Sequence, residues 1–333
     1  MMTLLEFINS KERGFFLPDM AANGLLYTGY TAFEVLNEPK KQLEIAKLMD
    51  EKFDSDFSYP LSDGCVLLEA LGLKLLRPDF DLPSVLKHPV KNREILRSMK
   101  VLDPYKDGRL PVNLESFKLI RENIDKPLYV SIHGPFTMAV QLVGARELLR
   151  CIIKDPEFVE EVVEFTTKCV KAYAHAVSKI TGYISIAEPS SVMLNSERFD
   201  RFVKPYLNDV YSGIECWKGL HICGDTREIL DNMISCDTDA LSLDQVLDLT
   251  EIAPKIPKDM VLIGNLAPVE VLGEMDSKGV RKESLKLVKN MRCYANYLFG
   301  FGCNCLNDTP TENLTAAIEV GRMEYEKLDE IKA

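Results

Sequence analysis

Short apolar runs rich in β-branched and aromatic residues recur along the chain, each closed by a turn residue or a polar tip and followed by a longer stretch of helical period. Eight such runs read as strands: GFFLPD (14–19), DSDFSYP (54–60), LYVSIHGP (128–135), GYISIAEP (182–189), KGLHICGD (218–225), DALSLDQ (239–245), MVLIGNL (260–266) and NYLFGFGC (296–303). Between them, the stretch from Asp155 to Ile180 repeats apolar positions at three and four. It opens on Asp-Pro-Glu, an N-cap followed by a favourable first helical residue. Strand alternating with helix predicts an α/β fold with a parallel sheet, and eight repeats at this length predict closure into a (β/α)8 TIM barrel. The second connection is too long for one helix. Residues 61–127 hold GLKLLRPDFDLPSVLKHPV and the helix-compatible LPVNLESFKLIREN, so an insertion after the second strand, passing over the barrel mouth, is expected. No low-complexity tract or linker interrupts the chain, and residues 1–333 are expected to form a single domain.

In a TIM barrel, chemistry gathers where the strands end and their following loops begin. The eight predicted tips carry Asp19, Tyr59, His133, Glu188, His221 with Cys223, Asp244, Asn265 and Cys303. Carboxylates, imidazoles and thiols converging on one rim have the composition of a metal or acid–base site. Residues i and i+2 of a strand point the same way, so His221 and Cys223 can both face the axis while Ile222 packs outward. Zinc accepts imidazole nitrogen and thiolate sulfur, and a catalytic zinc keeps three firm protein ligands and one exchangeable position. Cys303, at the end of the last strand, can supply the third ligand, and Asp244 can hold the fourth position until substrate displaces it. Blander readings fit the same residues. A His-x-Cys pair can be a buried polar residue beside a structural thiol, GFGCNC a glycine-lined turn, Glu188 before Pro189 a helix cap, and His133 a core hydrogen-bonding group. His88 and His175 are expected to have no chemical role.

Composition narrows the class. The chain has 333 residues, 46% of them hydrophobic and 27% charged, enough to bury a large core. The N-terminal stretch meets charge at Glu6, Lys11, Glu12 and Arg13 before any signal-type apolar run forms, and no apolar run approaches a bilayer span. A cytoplasmic protein is therefore expected, in which the nine cysteines are thiols or ligands rather than disulfide halves. A net charge of -11 and the lack of a basic stripe argue against a nucleic-acid partner.

The segments DPYKDGRLP (103–111), IHGPFTMAVQLVGARELLRCIIKDPEFVEEVVE (132–164), ISIAEPSS (184–191), HICGDTREIL (221–230), SLDQVLDL (242–249), IGNLAPVEVL (263–272) and GCNCLNDTPTENLTAAIE (302–319) resemble the uroporphyrinogen decarboxylase superfamily. More narrowly, they resemble its corrinoid-dependent methyltransferase branch. The resemblance covers most of the chain from about residue 100 onward, and the first hundred residues more loosely. It implies a TIM barrel and a zinc site whose ligands fall on His221, Cys223 and Cys303, with Asp244 as an acidic residue able to reach the metal. The decarboxylase branch, the alternative, implies a metal-free site and an N-terminal Arg-Gln-Ala-Gly-Arg type segment that grips a polyacidic substrate. This chain has GFFLPDMAANG there, with Asp19 in place of the arginines.

The methyltransferase resemblance implies transfer of a methyl group between a small substrate and the cobalamin of a separate corrinoid protein. The separate protein is expected because the chain has no Asp-x-His-x-x-Gly run to ligate a corrinoid and the barrel is too small to enclose one. The insertion at 61–127 is the expected docking surface. Glu188, Asp244 or His133 would deliver a proton, while Asp19, Tyr59 and Asn265 are candidates for substrate contact. Two directions are open, demethylation of a methoxyaromatic or similar donor and methylation of a thiol such as coenzyme M. The acidic rim and the aromatic residues Phe15, Tyr27, Tyr30, Phe57 and Tyr59 near the first two tips favour the uncharged O-methyl donor. Self-association is compatible with the sequence but nothing in it demands a homo-oligomer.

Overall fold

Apolar runs of period two become strands wherever a neighbour completes their hydrogen bonding, and VLIGNL, buried at all six positions, is the fullest case. A computed structural model describes residues 2–20, 22–61 and 63–331. Among these, the strands in chain order are β1 (Phe16–Leu17), β2 (Leu75–Leu76), β3 (Ser84–Val85), β4 (Tyr129–His133), β5 (Tyr183–Ala187), β6 (Trp217–Ile222), β7 (Ala240–Leu243), β8 (Val261–Leu266) and β9 (Tyr297–Phe301). Seven of them form one parallel sheet in the order β1-β9-β8-β7-β6-β5-β4. The sheet curls into the expected (β/α)8 TIM-barrel fold, helices following the strands as the period of the intervening segments predicts. Asp155 caps the helix Pro156–Ser178 by accepting from the Phe158 N–H at 3.3 Å. The face of that helix built from Val159, Val162, Val163, Val170, Ala174 and Val177 is buried.

Two of the predicted strands are shorter than the pattern suggests. The run 14–19 pairs at Phe16 and Leu17 alone. The run 54–60 contributes one parallel bridge, Ser58 with Leu128, fixed by Ser58 N–H to the Pro127 carbonyl (3.0 Å) and Tyr129 N–H to the Ser58 carbonyl (2.8 Å). Pro18 and Pro60 have no N–H to continue either ladder. The seam between these two segments is closed by a side chain instead. Asp56 accepts from the Phe16 N–H at 2.9 Å and is gripped by Arg13 at 2.5 Å and Arg322 at 3.1 Å.

The lower half of the barrel interior is a plug of Phe15, Leu17, Phe57, Tyr129, Tyr183, Val261, Ile263 and Leu298. Full burial of such a side chain is worth about 1.5–3 kcal/mol. Above the plug, residues of the same parity continue each strand toward the mouth: Ser131 and His133 on β4, His221 on β6, Ser242 on β7. Residues 61–127 carry the β2–β3 hairpin and the helices Val66–Ala70, Arg93–Ser98 and Leu110–Asn123. Leu82 and Pro83 from this segment line the cavity at the mouth.

Candidate metal centre

Strand parity and two glycines assemble the centre. His221 is the last inward residue of β6, and Cys223 follows in the same orientation. Gly224 then turns the chain with φ +88°, a conformation a side chain would resist. Its N–H donates to Asp244 Oδ2 at 2.8 Å. From the far side, Gly302 lets the end of β9 approach the β7 loop so closely that a Cβ would stand 2.5 Å from the Gln245 backbone nitrogen. Cys303 enters the site directly after it. The donor atoms of His221, Cys223 and Cys303 all lie within 4.8 Å of one another. Ser242 Oγ engages His221 Nδ1 at 3.0 Å, which orients the ring and leaves Nε2 as the free donor.

Electrostatics prepare the same set for a cation. The Cys303 thiol hydrogen-bonded to it holds the Cys223 thiol below its ordinary range, against the effect of burial, while the same bond pushes Cys303 well up. The two sulfurs are thus coupled, and of the pair Cys223 is the more readily deprotonated. Two sulfurs and one imidazole, half-buried, fit the tetrahedral N/S preference of zinc with one position to spare.

The centre forms one wall of a cavity of about 280 Å³. Asp19, Tyr59 and His133 line it with the three donors. Burial raises the Asp19 carboxyl to about 6, offset in part by the charge of His221. Asn304 donates its amide N–H groups to both oxygens of that carboxylate, to Oδ2 at 3.0 Å. The Tyr59 hydroxyl and His133 Nδ1 are buried and have no hydrogen-bond partner among the described residues. Burial also lowers the His133 pKa, so its ring is neutral at pH 7.

The remaining candidates have structural duties. Asp244 accepts from the Gly224 and Val246 N–H groups at 2.8 and 3.0 Å, so its carboxylate ties the His-x-Cys-Gly turn to the β7 loop, and it is not among the residues lining the cavity. Asn265 donates to the carbonyls of Asp244 (2.9 Å) and Leu247 (2.7 Å) and lies outside the cavity lining. Glu188, fully buried, accepts from the Phe136 N–H, the Thr137 N–H and the Thr137 hydroxyl at 2.7–2.9 Å. It caps the helix Pro135–Val143 and also lies outside the lining. Of the five aromatics near the first two tips, Tyr59 alone reaches the cavity. Phe15 and Phe57 belong to the interior plug, Tyr27 bonds Thr311, and Tyr30 bonds Glu44.

Three further residues, one of them held by an ion-pair network, shape the site and escape a tip-by-tip reading. Ser242 was within reach, since it precedes Asp244 by two on one strand. Asn304 sits inside the GCNC run with nothing local to mark it. Asp63, in the insertion, lines the cavity and is paired at 2.7 Å with Arg109, which also holds Glu69 at 2.7 Å. No spacing rule links positions so far apart in the chain.

Two predictions arise here. Asp244→Ala should weaken metal binding about 10–100-fold, as loss of an orienting partner does. Cys305→Ala should retain metal, because that thiol is buried against Asn23 Oδ1 at 2.9 Å. A chelator competition on both variants checks the pair. Burial, resisted by its three hydrogen bonds, pushes the Glu188 carboxyl up to about 7 from 4.5. The folded state therefore binds that proton more tightly than the unfolded one. Its stabilising contribution is full below about pH 4.5 and is lost as pH rises to about 7. Glu188→Gln should flatten that fall in denaturant midpoints measured at pH 5 and pH 8, and leave turnover within a few-fold.

Comparison with known proteins agrees with this architecture. The methylcobamide:CoM methyltransferase MtbA of Methanosarcina acetivorans is 28% identical over 248 residues, covering 72% of this chain and 71% of its own. MtaA of Methanosarcina barkeri, also a methylcobamide:CoM methyltransferase, is 27% identical over 268 residues, covering 78% and 77%. A solved structure of a methyltransferase from Methanosarcina mazei has a TM-score of 0.86 at 23% identity, covering 96% of this chain and 98% of that one, a likeness of fold. The family described as uroporphyrinogen decarboxylase (URO-D) matches residues 16–323, and with nearly the whole barrel inside that match the chain belongs to it.

Proposed function

We propose that this protein is a zinc-dependent methyltransferase that moves a methyl group between the cobalt of a corrinoid carried by a separate protein and a small substrate in the barrel mouth. The observation that carries this reading is the convergence of His221, Cys223 and Cys303 on one wall of a cavity. These three residues would hold the metal. Zinc held there would supply Lewis acidity, which would lower the pKa of a thiol substrate toward about 7. Ser242 keeps the His221 ring in place, and Asp244 keeps Cys223 and His221 on one turn. The Tyr59 hydroxyl and His133 Nδ1, neither with a partner among the described residues, offer hydrogen bonds to a substrate. Asp19 is the carboxylate placed to receive a proton from it.

The preferred substrate is a small thiol, with the methyl group arriving from the corrinoid. A C–S bond forms as the Co–C bond breaks, both electrons of that bond remain on cobalt, and the thiol proton leaves. Support comes from the two relatives whose names specify transfer between methylcobamide and CoM. The methoxyaromatic reading draws on the acidic rim and on five aromatics, of which Tyr59 alone lines the cavity. The decarboxylase reading needs cations for a polyacid, and among the described residues no lysine or arginine lines the cavity. Arg13 is committed to Asp56 and Arg109 to Asp63 and Glu69.

Anaerobic mixing of the zinc-loaded protein with methylcobalamin and a panel of thiols, followed by the cobalamin absorbance change, tests the reading. Elemental analysis is run alongside. Expected are one zinc per chain and thiol-dependent formation of cob(I)alamin. Absence of stoichiometric zinc, or turnover with no thiol and no O-methyl donor, would refute it.

A cavity of about 280 Å³ holds a small substrate and not a corrinoid, which has to cover the mouth from outside. The insertion and the segments that follow β1, β5, β7 and β9 in the chain expose Phe33, Phe80, Met193, Val246 and Leu306, each between 41% and 59% accessible. The rim loops are tied together by the Ala32 N–H to the Asp79 carbonyl and by Asn307 to Asp81, both at 2.6 Å. Exposed apolar side chains on these segments suit a protein partner that delivers the cofactor. The double variant Phe80→Asp/Val246→Asp should raise the KM for the methylated corrinoid protein about tenfold, as loss of interface anchors does. With free methylcobalamin the rate should stay within twofold.

A further inference from the structure

The cavity has a charge that restricts which thiol it accepts. Two thiolates and a neutral imidazole cancel a divalent ion, so the residues around the donors set the net charge. Asp63 and Glu69 are neutralised by Arg109 and Arg77, two acids against two guanidinium groups in one connected set. Asp19 has no such partner. Its oxygens are met by the neutral amide of Asn304, and among the described residues no lysine or arginine lines the cavity. The polar atoms left over for a ligand, the Tyr59 hydroxyl and His133 Nδ1, are neutral as well.

From this distribution we infer that the small thiol accepted here ends in an uncharged or cationic group, not in a sulfonate or carboxylate. The inference rests on the thiol reading above and narrows its substrate class. An anionic end enclosed with Asp19 gains no cation and meets a like charge in a site partly shielded from water, where charges interact more strongly than in bulk. A hydroxyl or ammonium end meets groups that can bond it: the Tyr59 hydroxyl, the His133 ring and the Asp19 carboxylate. Coenzyme M, named for the relatives, is a sulfonate, so this chain would differ from them in the thiol it uses.

The test is a binding measurement on protein loaded with Co(II) in place of zinc, reading the thiolate-to-cobalt absorption band. 2-Mercaptoethanol, cysteamine and 2-mercaptoethanesulfonate are titrated in turn, wild type beside Asp19→Asn, with cobalt content measured for both. Expected is a dissociation constant for the sulfonate at least tenfold above that for 2-mercaptoethanol. In Asp19→Asn, at unchanged cobalt content, that ratio should fall below threefold. A sulfonate that binds as well as the neutral thiol, or a ratio that Asp19→Asn leaves unchanged, overturns the inference while leaving methyl transfer to a thiol standing. No new band with any thiol overturns both.

Discussion

Alanine at Cys303 or Cys223 is expected to strip the centre of metal and to lower methyl transfer by about a thousandfold, the loss of roughly 4 kcal/mol of barrier lowering. Either substitution leaves two protein donors where a catalytic zinc keeps three. The two variants should behave alike although their local settings differ. Cys223 is bound to the Gly224 turn that Asp244 secures, whereas Cys303 is delivered by Gly302 from the end of β9, three strands along the sheet. Metal content by elemental analysis and cobalamin turnover should fall together. A Cys303→Ala protein that keeps one tightly bound zinc and most of its rate would remove β9 from the centre and with it the three-ligand assignment.

The largest loss of stability is expected at Arg109. Its guanidinium bonds Asp63, Glu69 and the Leu36 carbonyl, and the Asp63 side chain it meets is fully enclosed. Arg109→Met keeps most of the volume but leaves a buried carboxylate without its cation, a change worth about 3–5 kcal/mol. Urea denaturation should show the midpoint falling at nearly constant slope. Adding Asp63→Asn to Arg109→Met should recover part of the loss, since the uncompensated charge is then gone. Near-additive losses in that double-mutant cycle would mean that the pair is not coupled as its geometry indicates. The same damage reaches function, because Asp63, Gly64 and Cys65 are consecutive residues of the cavity lining.

Strand ends were legible in the chain for a local reason. Period-two burial followed by a polar tip marks where a strand stops, and in a barrel the stops share one rim. Asp19, Tyr59, His133, His221, Cys223 and Cys303 all came from that rule, and all line the cavity. Glu188, Asp244 and Asn265 came from the same rule and lie outside the cavity lining. Each stands at a tip, but their acceptors and donors are turned toward backbone N–H and C=O groups of neighbouring loops. A buried carboxylate goes where donors satisfy it, and apart from the Val246 N–H those donors belong to residues about 20 to 50 positions away.

The sequence by itself determined the order of strands and helices, the residues that could meet at the mouth and the pairing of His221 with Cys223 on one strand face, because these follow from repeats of two and 3.6 residues along one backbone. The tertiary structure alone decided how those residues divide the work. Whether a carboxylate caps a helix, braces a turn or faces substrate depends on distances between segments far apart in the chain, which no local period encodes. It also decided the charge of the cavity, since Arg77 and Arg109 neutralise one group of acids while Asp19 meets only an amide.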